Sequence, residues 1–144
     1  MQDETYPFRS ANFSKFFTFI SQSESRSVVK VVQFSQVWEN VYNLGLADFV
    51  AGKLAFRTAS NNHDLVKVIS TVAAIVRYFT ELYGEREVFI TGEERRMKRY
   101  NLAIQRRWAE IEPDFWVLGL LEDEWLAYVP GEGYIAVKIK RKPK

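Results

Sequence analysis

Residues 61–84 read NNHDLVKVISTVAAIVRYFTELYG and predict one amphipathic helix that covers one face of a sheet. The apolar residues recur at the i, i+3, i+4, i+7 spacing of a helix whose apolar stripe faces a core. This stripe comprises Leu65, Val68, Ile69, Val72, Ile75, Val76, Phe79, Leu82 and Tyr83. Ser60, Asn61 and Asn62 offer oxygens that can cap the helix start, and Gly84 can end the helix. Because many residues in the stretch are β-branched, we expect the helix to depend on the sheet for its stability.

The composition is typical of one folded domain. The chain has 144 residues, of which 47% are hydrophobic, and this is enough to form a core. We predict a single domain over 1–144, with an N-terminal arm at 1–14 and a basic tail at 141–144. The absence of cysteine excludes disulfides, thiolate nucleophiles and cysteine-based zinc sites. The polar N-terminus and the lack of an apolar run long enough to span a bilayer predict a cytoplasmic protein without a membrane partner.

The pattern of alternating apolar residues predicts strands on both sides of the helix. Three are expected before it, at 16–21, 28–38 and 41–50, and two after it, at 87–91 and 115–121, and short segments at 54–56 and 125–128 could add to them. A last strand places Ile135, Val137 and Ile139 on one face and Lys138 and Lys140 on the other. The strand at 28–38 is apolar on both faces and should be central. We therefore predict an α+β fold, with a twisted, largely antiparallel sheet of about six to seven strands and two main helices packed on it.

The second helix carries the strongest surface signal. Thr91 and Glu94 have the spacing of a capping box, and we expect the helix to run to about Ile111 with Met97, Tyr100, Ile104 and Trp108 in its apolar stripe. Its basic residues are Arg95, Arg96, Lys98, Arg99, Arg106 and Arg107. At 100° per residue, Arg95, Arg99 and Arg106 lie nearly opposite the apolar stripe, Lys98 lies to one side, and Arg96 and Arg107 flank the stripe on the other. This arrangement predicts one exposed cationic ridge, which could bind phosphates or an acidic protein. The alternative is a solvated helix face whose arginines pair with nearby glutamates. The N-terminus of this helix, after Gly92, could bind an anion, although capping alone explains it.

Catalytic chemistry has weak support in the sequence. His63 is the only histidine, and a polar residue in the first turn of a helix needs no catalytic role. An oxygen-ligand site for magnesium could draw on Asp48, Asp64, Glu112, Asp114, Glu122, Asp123 and Glu124, but their spacing matches no motif. We predict no catalytic, cofactor-binding or metal-binding residue and no cofactor.

Aromatic residues crowd the last third of the chain. They are Phe115, Trp116, Trp125, Tyr128 and Tyr134. Most should be core, since this third supplies strands. Any that remain exposed would indicate a protein interface, and self-association as a homodimer is one possibility.

Four runs of sequence resemble an uncharacterised family of small bacterial intracellular domains. They are NLGLADF at 43–49, SNNHDLVKVISTVAAIVRYF at 60–79, VFITG at 88–92 and RRMKRYNLAI at 95–104. The matching positions are Tyr42, Asn43 and Leu44 on a strand; Asn61, Asn62 and Asp64 at a helix start; Val68, Thr71, Val72, Ile75 and Val76 in that helix; and Gly92, Arg96, Lys98 and Tyr100. The chain departs from the family pattern at Glu93 to Arg95 and at Arg99. The resemblance implies a stand-alone domain associated with toxin–antitoxin or mobile-element biology, and it implies no catalytic residue.

Three functional hypotheses follow. The first is a non-catalytic protein that acts by binding another macromolecule, either a different protein or a second copy of itself. The second is an RNA- or DNA-binding protein that uses the cationic ridge and the basic tail. The third is a metal-dependent nuclease, which would require several carboxylates to converge in one cleft.

Overall fold

The computed structural model describes residues 5–11, 15–55, 64–82, 84 and 86–143, without the side chains of Leu65 and Val66. Nine strands and three helices are found in these residues. The strands are β1 Arg9–Ala11, β2 Phe16–Gln22, β3 Ser27–Trp38, β4 Val41–Val50, β5 Lys53–Ala55, β6 Glu87–Thr91, β7 Phe115–Leu121, β8 Glu124–Ala127 and β9 Ala136–Arg141. The helices are α1 Leu65–Leu82, α2 Glu94–Arg106 and α3 Trp108–Ile111.

The α+β class and the largely antiparallel sheet are confirmed, but the predicted number of strands is wrong. The strand order is β1-β2-β3-β4-β6-β9-β7-β8, and β5 pairs with β4 beside this path. The sequence prediction missed β1, which has three residues, all exposed, and therefore carries no apolar alternation. The predicted caps Ser60, Asn61 and Asn62, the histidine His63 and the stripe residue Tyr83 lie outside the described residues.

The second predicted helix is divided into α2 and α3. Arg107 interrupts it with φ −110° and ψ 14°, and its N–H is shared between the carbonyls of Ala103 and Ile104 at 3.2 Å. The predicted capping box is also absent, because Thr91 still belongs to β6 and pairs there with Ala136. The residue that precedes the helix is Glu93, and its side chain makes no capping hydrogen bond.

The chain divides into two compact units, one of Met1–Ser35 with Leu44–Phe79 and one of Gln36–Asn43 with Thr80–Lys144. In the first unit, β2 pairs antiparallel with β3 and sets Phe17 opposite Val32. The rings of Phe34 and Phe79 stack 3.9 Å apart, which places α1 on this face of the sheet. The buried side chains Val72, Ile75 and Val76 on α1 confirm the predicted stripe at these positions.

The second unit contains the antiparallel strands β6, β9, β7 and β8. One face is buried through Val88, Ile90, Phe115, Val117, Val137 and Ile139. The buried side chains of α2 are Met97, Tyr100, Asn101 and Ile104. Ile135, which was predicted to share the buried face of the last strand, instead lies before β9 at a bend and is 58% exposed. The bend breaks the alternation that the prediction assumed.

Candidate functional site

The six predicted basic residues lie on α2 or directly after it. Arg95, Lys98 and Arg106 are exposed, whereas Arg96, Arg99 and Arg107 are half-buried. The Lys98 ammonium is 3.7 Å from the Glu94 carboxylate, and the Arg107 guanidinium is 3.6 Å from that of Glu110. Such pairs at one helical turn contribute only a few tenths of a kcal/mol, roughly, at an exposed surface. We use the name α2 ridge for Arg95, Lys98, Arg99 and Arg106.

Arg96 lies apart from this ridge and packs inward. A Cβ added at Gly92 would lie 3.1 Å from the Cδ atom of Arg96, so the arginine stem follows the backbone at the glycine. Burial raises the pKa of Tyr100 to about 12, and the positive charge of Arg96 opposes this rise. The Gly92, Arg96 and Tyr100 positions of the family pattern are therefore explained by packing within the second unit.

A buried polar network fixes the loop between β8 and β9 to α2. Asn101 on α2 donates from Nδ2 to the carbonyl of Tyr134 at 2.9 Å, and the Tyr128 hydroxyl donates to Oδ1 of Asn101 at 2.9 Å. The hydroxyl of Tyr134 accepts the N–H of Val129 at 2.9 Å. Burial, followed by the neighbouring hydroxyl of Tyr134, raises the pKa of Tyr128. Every partner in this network is neutral, so its hydrogen bonds hold the loop without any charge.

The network requires a glycine on β7. A Cβ at Gly119 would lie 2.2–2.5 Å from three ring atoms of Tyr134, which is far inside van der Waals contact. Gly119 therefore faces Tyr134 and, through it, Asn101 on α2. Because side chains alternate along a strand, Trp116, Leu118 and Leu120 project from the opposite face of the sheet.

A cleft of about 600 Å³ opens between α2 and this loop. Met97, Asn101 and Tyr134 are buried at its base, and Leu102 and Ile135 are exposed at its margins. Its charged lining residues are Glu94, Lys98 and Glu132. We call this space the α2 cleft.

The opposite face of the sheet in the second unit is open and combines aromatic rings with lysines. The pairing register sets Trp116 beside Lys140, which is itself beside Glu87. One step along, Leu118, Lys138 and Phe89 are neighbours. A third row contains Leu120 and Trp125. We call these residues, Glu87, Phe89, Trp116, Leu118, Leu120, Trp125, Lys138 and Lys140, the open sheet face.

On the open sheet face the ring of Trp116 is exposed, whereas the rings of Phe89 and Trp125 are half-buried and tilted against each other. Trp116 is 51% exposed, and Lys140 is exposed next to it. The ring of Trp125 lies 5.5 Å from that of Phe89, and the Lys138 ammonium sits 4.0 Å above the Trp125 ring. A cation over an aromatic ring is attracted by the negative face of the ring and holds the ring in place. This face therefore presents flat apolar surfaces and positive charge side by side.

The components of this face were predicted from the sequence, but the face itself was not. Lys138 and Lys140 were expected on one side of the last strand, and most of the aromatic residues were expected in the core. The alternation of Trp116, Leu118 and Leu120 was the available signal, but a run that is apolar at every position does not reveal which half is exposed.

The first unit contains two polar clusters that the sequence analysis missed. Lys30 on β3 and Asp48 on β4 form a buried ion pair of 2.5 Å, with 3% and 2% of the side chains exposed. Asp64, at the start of α1, accepts hydrogen bonds from the Tyr6 hydroxyl and, at 2.5 Å, from the Ser21 hydroxyl. Burial, followed by the hydrogen bond to Asp64, raises the pKa of Tyr6. Lone polar positions in apolar strands, such as Lys30, were the signal for the first cluster.

The carboxylates considered as magnesium ligands do not share one environment. Asp48 pairs with Lys30, Asp64 accepts from two hydroxyls, and Glu122 and Asp123 form the turn between β7 and β8. Within the described part of the chain, no group of three His, Cys, Asp or Glu side chains is placed to hold a metal ion.

A comparison with protein families matches residues 2–142 to a family described as a family of unknown function, DUF6934. This match includes nearly the whole chain. The chain belongs to DUF6934. No curated protein and no solved structure matches it.

Membership of DUF6934 agrees with the resemblance to an uncharacterised family. The bacterial origin and the residue pattern assigned to that family stay predictions. Across the helices of this DUF6934 member that the structure describes, none is both long and apolar enough to cross a membrane.

Proposed function

We propose that this DUF6934 member is a non-catalytic nucleic-acid-binding protein that holds a single strand on the open sheet face of its second unit. The observation that supports the proposal is the register that sets the exposed ring of Trp116 beside Lys140 and the half-buried ring of Phe89 beside Lys138. Proteins that bind single strands without sequence preference combine base-stacking rings with cations that follow the backbone.

The dimensions of the face agree with this ligand. Neighbouring strands lie about 4.8 Å apart and alternate residues on one strand about 6.8 Å apart. The three rows therefore extend about 14 Å in each direction, and the exposed ring of Trp116 offers a stacking surface for one base. A duplex offers no free base faces and would gain only the two lysines, so the preference is for single strands.

The one acidic side chain of the open sheet face, Glu87, limits the affinity that we expect for nucleic acid. Glu87 lies next to Lys140 in register and opposes phosphate binding there. We therefore expect modest affinity, with most of the binding energy coming from stacking on Trp116. The two lysines should make one to two phosphate contacts. A plot of log Kobs against log salt concentration should therefore have a slope of about −0.7 to −1.4.

The test is fluorescence anisotropy with a labelled 12-nucleotide single-stranded RNA at several salt concentrations. Replacing Trp116 by alanine should weaken binding roughly 5- to 150-fold, the range for loss of one stacked base. Trp38→Ala is the matched control, because Trp38 is also exposed, at 77%, but is not on the open sheet face. It should keep the wild-type affinity.

Two outcomes would contradict the proposal. The first is an absence of RNA binding even at low salt. The second is equal affinity of wild type and Trp116→Ala, combined with a large loss when Arg95, Arg99 and Arg106 are replaced together. That second result would place the nucleic acid on the α2 ridge, as the sequence first suggested. The toxin–antitoxin or mobile-element role, the homodimer and the nuclease hypothesis stay predictions.

A further inference from the structure

Four large apolar side chains on neighbouring strands of the first unit are exposed, by between 38% and 49%. They are Ile20, Val29, Phe49 and Leu54. The strand register sets Ile20 on β2 opposite Val29 on β3, and it sets Phe49 on β4 opposite Leu54 on β5. These are two pairs of cross-strand neighbours, one on each side of the boundary between β3 and β4.

The buried ion pair shows that the two pairs of neighbours meet. Lys30 and Asp48 are 2.5 Å apart, so β3 and β4 lie side by side at this level. Because successive side chains of a strand point to opposite faces, Val29 and Phe49 project together from the other face of the sheet. The ring of Phe34, on the same face as Lys30, stacks against α1, so the exposed side chains lie on the face away from that helix. The four side chains therefore form one line across β2, β3, β4 and β5, which we call the apolar row.

The surface around the apolar row is nearly uncharged, although 26% of the residues in the chain are charged. Its exposed polar neighbours on β2 and β3 are Thr18, Gln22 and Ser27. Among the described residues of the first unit, Arg9 at the margin on β1 is the one charged side chain that strand alternation places on this face. Val31, one step along β3, is buried, so the exposed apolar surface is the row itself.

This composition favours an interface between two copies of the chain. In a two-fold dimer the same patch meets itself, so a charge at its centre would lie close to its own copy, and an uncharged patch avoids this repulsion. Homodimer interfaces are also more apolar than interfaces between different proteins, and the strongest contacts of protein interfaces come from Trp, Tyr and Arg. The apolar row contains none of these three residue types.

The apolar row is complementary to itself. A two-fold axis that runs along the strands, between β3 and β4, reverses the strand order in the second copy. It sets Val29 against Phe49 of the second copy and Ile20 against Leu54 of the second copy. Every contact along the row then joins two apolar side chains, as in two sheets that pack face to face with their strands nearly aligned.

We infer that two copies of this chain associate through the apolar row, with the two-fold axis between β3 and β4. The row exposes on the order of 300 Å² per copy, which is less than the roughly 800 Å² per partner of a standard stable interface. The dimer is therefore weak, with a Kd on the order of 100 μM. The row belongs to the first unit and the open sheet face to the second, so the inference does not depend on the proposed function.

The test is sedimentation velocity of the full chain over a range of concentrations, in which wild type should change from monomer to dimer. Phe49→Lys and Ile20→Lys should each raise the Kd roughly tenfold or more, because the added charge would be buried against apolar side chains. Leu82→Lys is the matched control, because Leu82 is 48% exposed but lies at the end of α1. It should dimerise like wild type. Urea unfolding of each variant checks that it is folded.

A mixture of two variants tests the two-fold arrangement. Val29→Glu alone should weaken the dimer as Phe49→Lys does. In a dimer formed from one copy of each variant, the introduced carboxylate and ammonium face each other, and the remaining contact of Val29 with Phe49 stays apolar. The mixture should therefore associate at least fivefold more tightly than either variant alone.

Three results would overturn the inference. They are a wild-type chain that stays monomeric well above the expected Kd, folded Phe49→Lys and Ile20→Lys variants with unchanged Kd, and no gain in the mixture. Trp116→Ala, which tests RNA binding, should dimerise like wild type. Failure of the dimer can therefore be distinguished from failure of RNA binding.

Discussion

At the scale of single residues, the packing of the second unit depends on one glycine. Gly119 faces the ring of Tyr134, whose hydroxyl and carbonyl hold the loop beside the α2 cleft. Any side chain at this position must displace that ring, and the ring is 3% exposed and cannot move outward without breaking its hydrogen bonds. The glycine is therefore a requirement of packing.

Replacing Gly119 by alanine should reduce the free energy of unfolding by about 3 kcal/mol, the upper part of the range for overpacking a core. Gly133→Ala is the matched control, because an added Cβ there has no heavy atom within 4 Å. Urea unfolding followed by tryptophan fluorescence would measure both. Equal stability of the two variants would show that Tyr134 does not occupy the position described.

The buried ion pair of the first unit leads to a second residue-scale prediction. Lys30→Met should cost about 3–5 kcal/mol, because it leaves the Asp48 carboxylate buried without its cation. The double variant Lys30→Met with Asp48→Leu should recover most of this loss, since two apolar side chains require no pairing. Lys98→Met, in the exposed pair with Glu94, should cost less than about 1 kcal/mol. If the loss in the double variant equalled the sum of the losses from Lys30→Met alone and Asp48→Leu alone, this account would be contradicted.

At the scale of elements, the turn between β7 and β8 contains strained backbone that the pairing of the two strands stabilises. The β7–β8 turn places Glu122 at φ 46° and Asp123 at φ 67°, both in the left-handed region, where a non-glycine residue costs about 1 kcal/mol or more. The register of β7 with β8, which sets Leu120 opposite Trp125, fixes this two-residue turn. The sequence showed a charged turn here, but acidic residues alone do not predict the sign of φ.

Asp123→Gly should therefore stabilise the chain by about 1 kcal/mol, because glycine adopts the left-handed region without steric cost. Asp114→Gly is the matched control, because Asp114 is also an exposed acid in a turn but its φ is not in the left-handed region. This variant should leave the stability unchanged or lower it. Thermal unfolding of both variants gives the comparison. A loss of stability in Asp123→Gly would mean that its carboxylate makes a contact worth more than the strain.

At the scale of the whole molecule, three tyrosines should make the stability of the fold decrease at alkaline pH. Burial is the first cause of the raised pKa of Tyr6, Tyr100 and Tyr128, and for Tyr100 the value is about 12. A pKa raised in the folded state means that the folded chain holds its proton more tightly than the unfolded chain. The stabilisation from each tyrosine is complete below pH 10 and is lost as the pH rises through the folded-state pKa.

Tyr100→Phe removes one of these contributions. Between pH 9 and pH 11, wild type should lose about 1 kcal/mol more stability than Tyr100→Phe, because the pKa of Tyr100 is raised to about 12 in the folded state. Urea unfolding at the two pH values would measure the difference. An identical loss in both proteins would show that Tyr100 ionises alike in the folded and unfolded states.

The sequence by itself determined the α+β class, the central helix and the places of most strands, because apolar periodicity is a local property of the chain. It also determined that α2 carries a run of cations and that Arg96 lies beside the apolar stripe, because helical spacing is local as well. Only the tertiary structure decided what these cations contact. Arg96 lies along Gly92, away from the ridge, and Lys98 reaches the cleft.

The open sheet face and the buried pair of Lys30 with Asp48 depended wholly on tertiary structure. Trp116, Lys140 and Glu87 come from three strands that are far apart in sequence, and their order β6-β9-β7 does not follow the chain. Strand pairing is a non-local choice made by the packing of the whole sheet. The sequence of one strand therefore shows which residues alternate, but the strand that pairs with it decides which residues become neighbours.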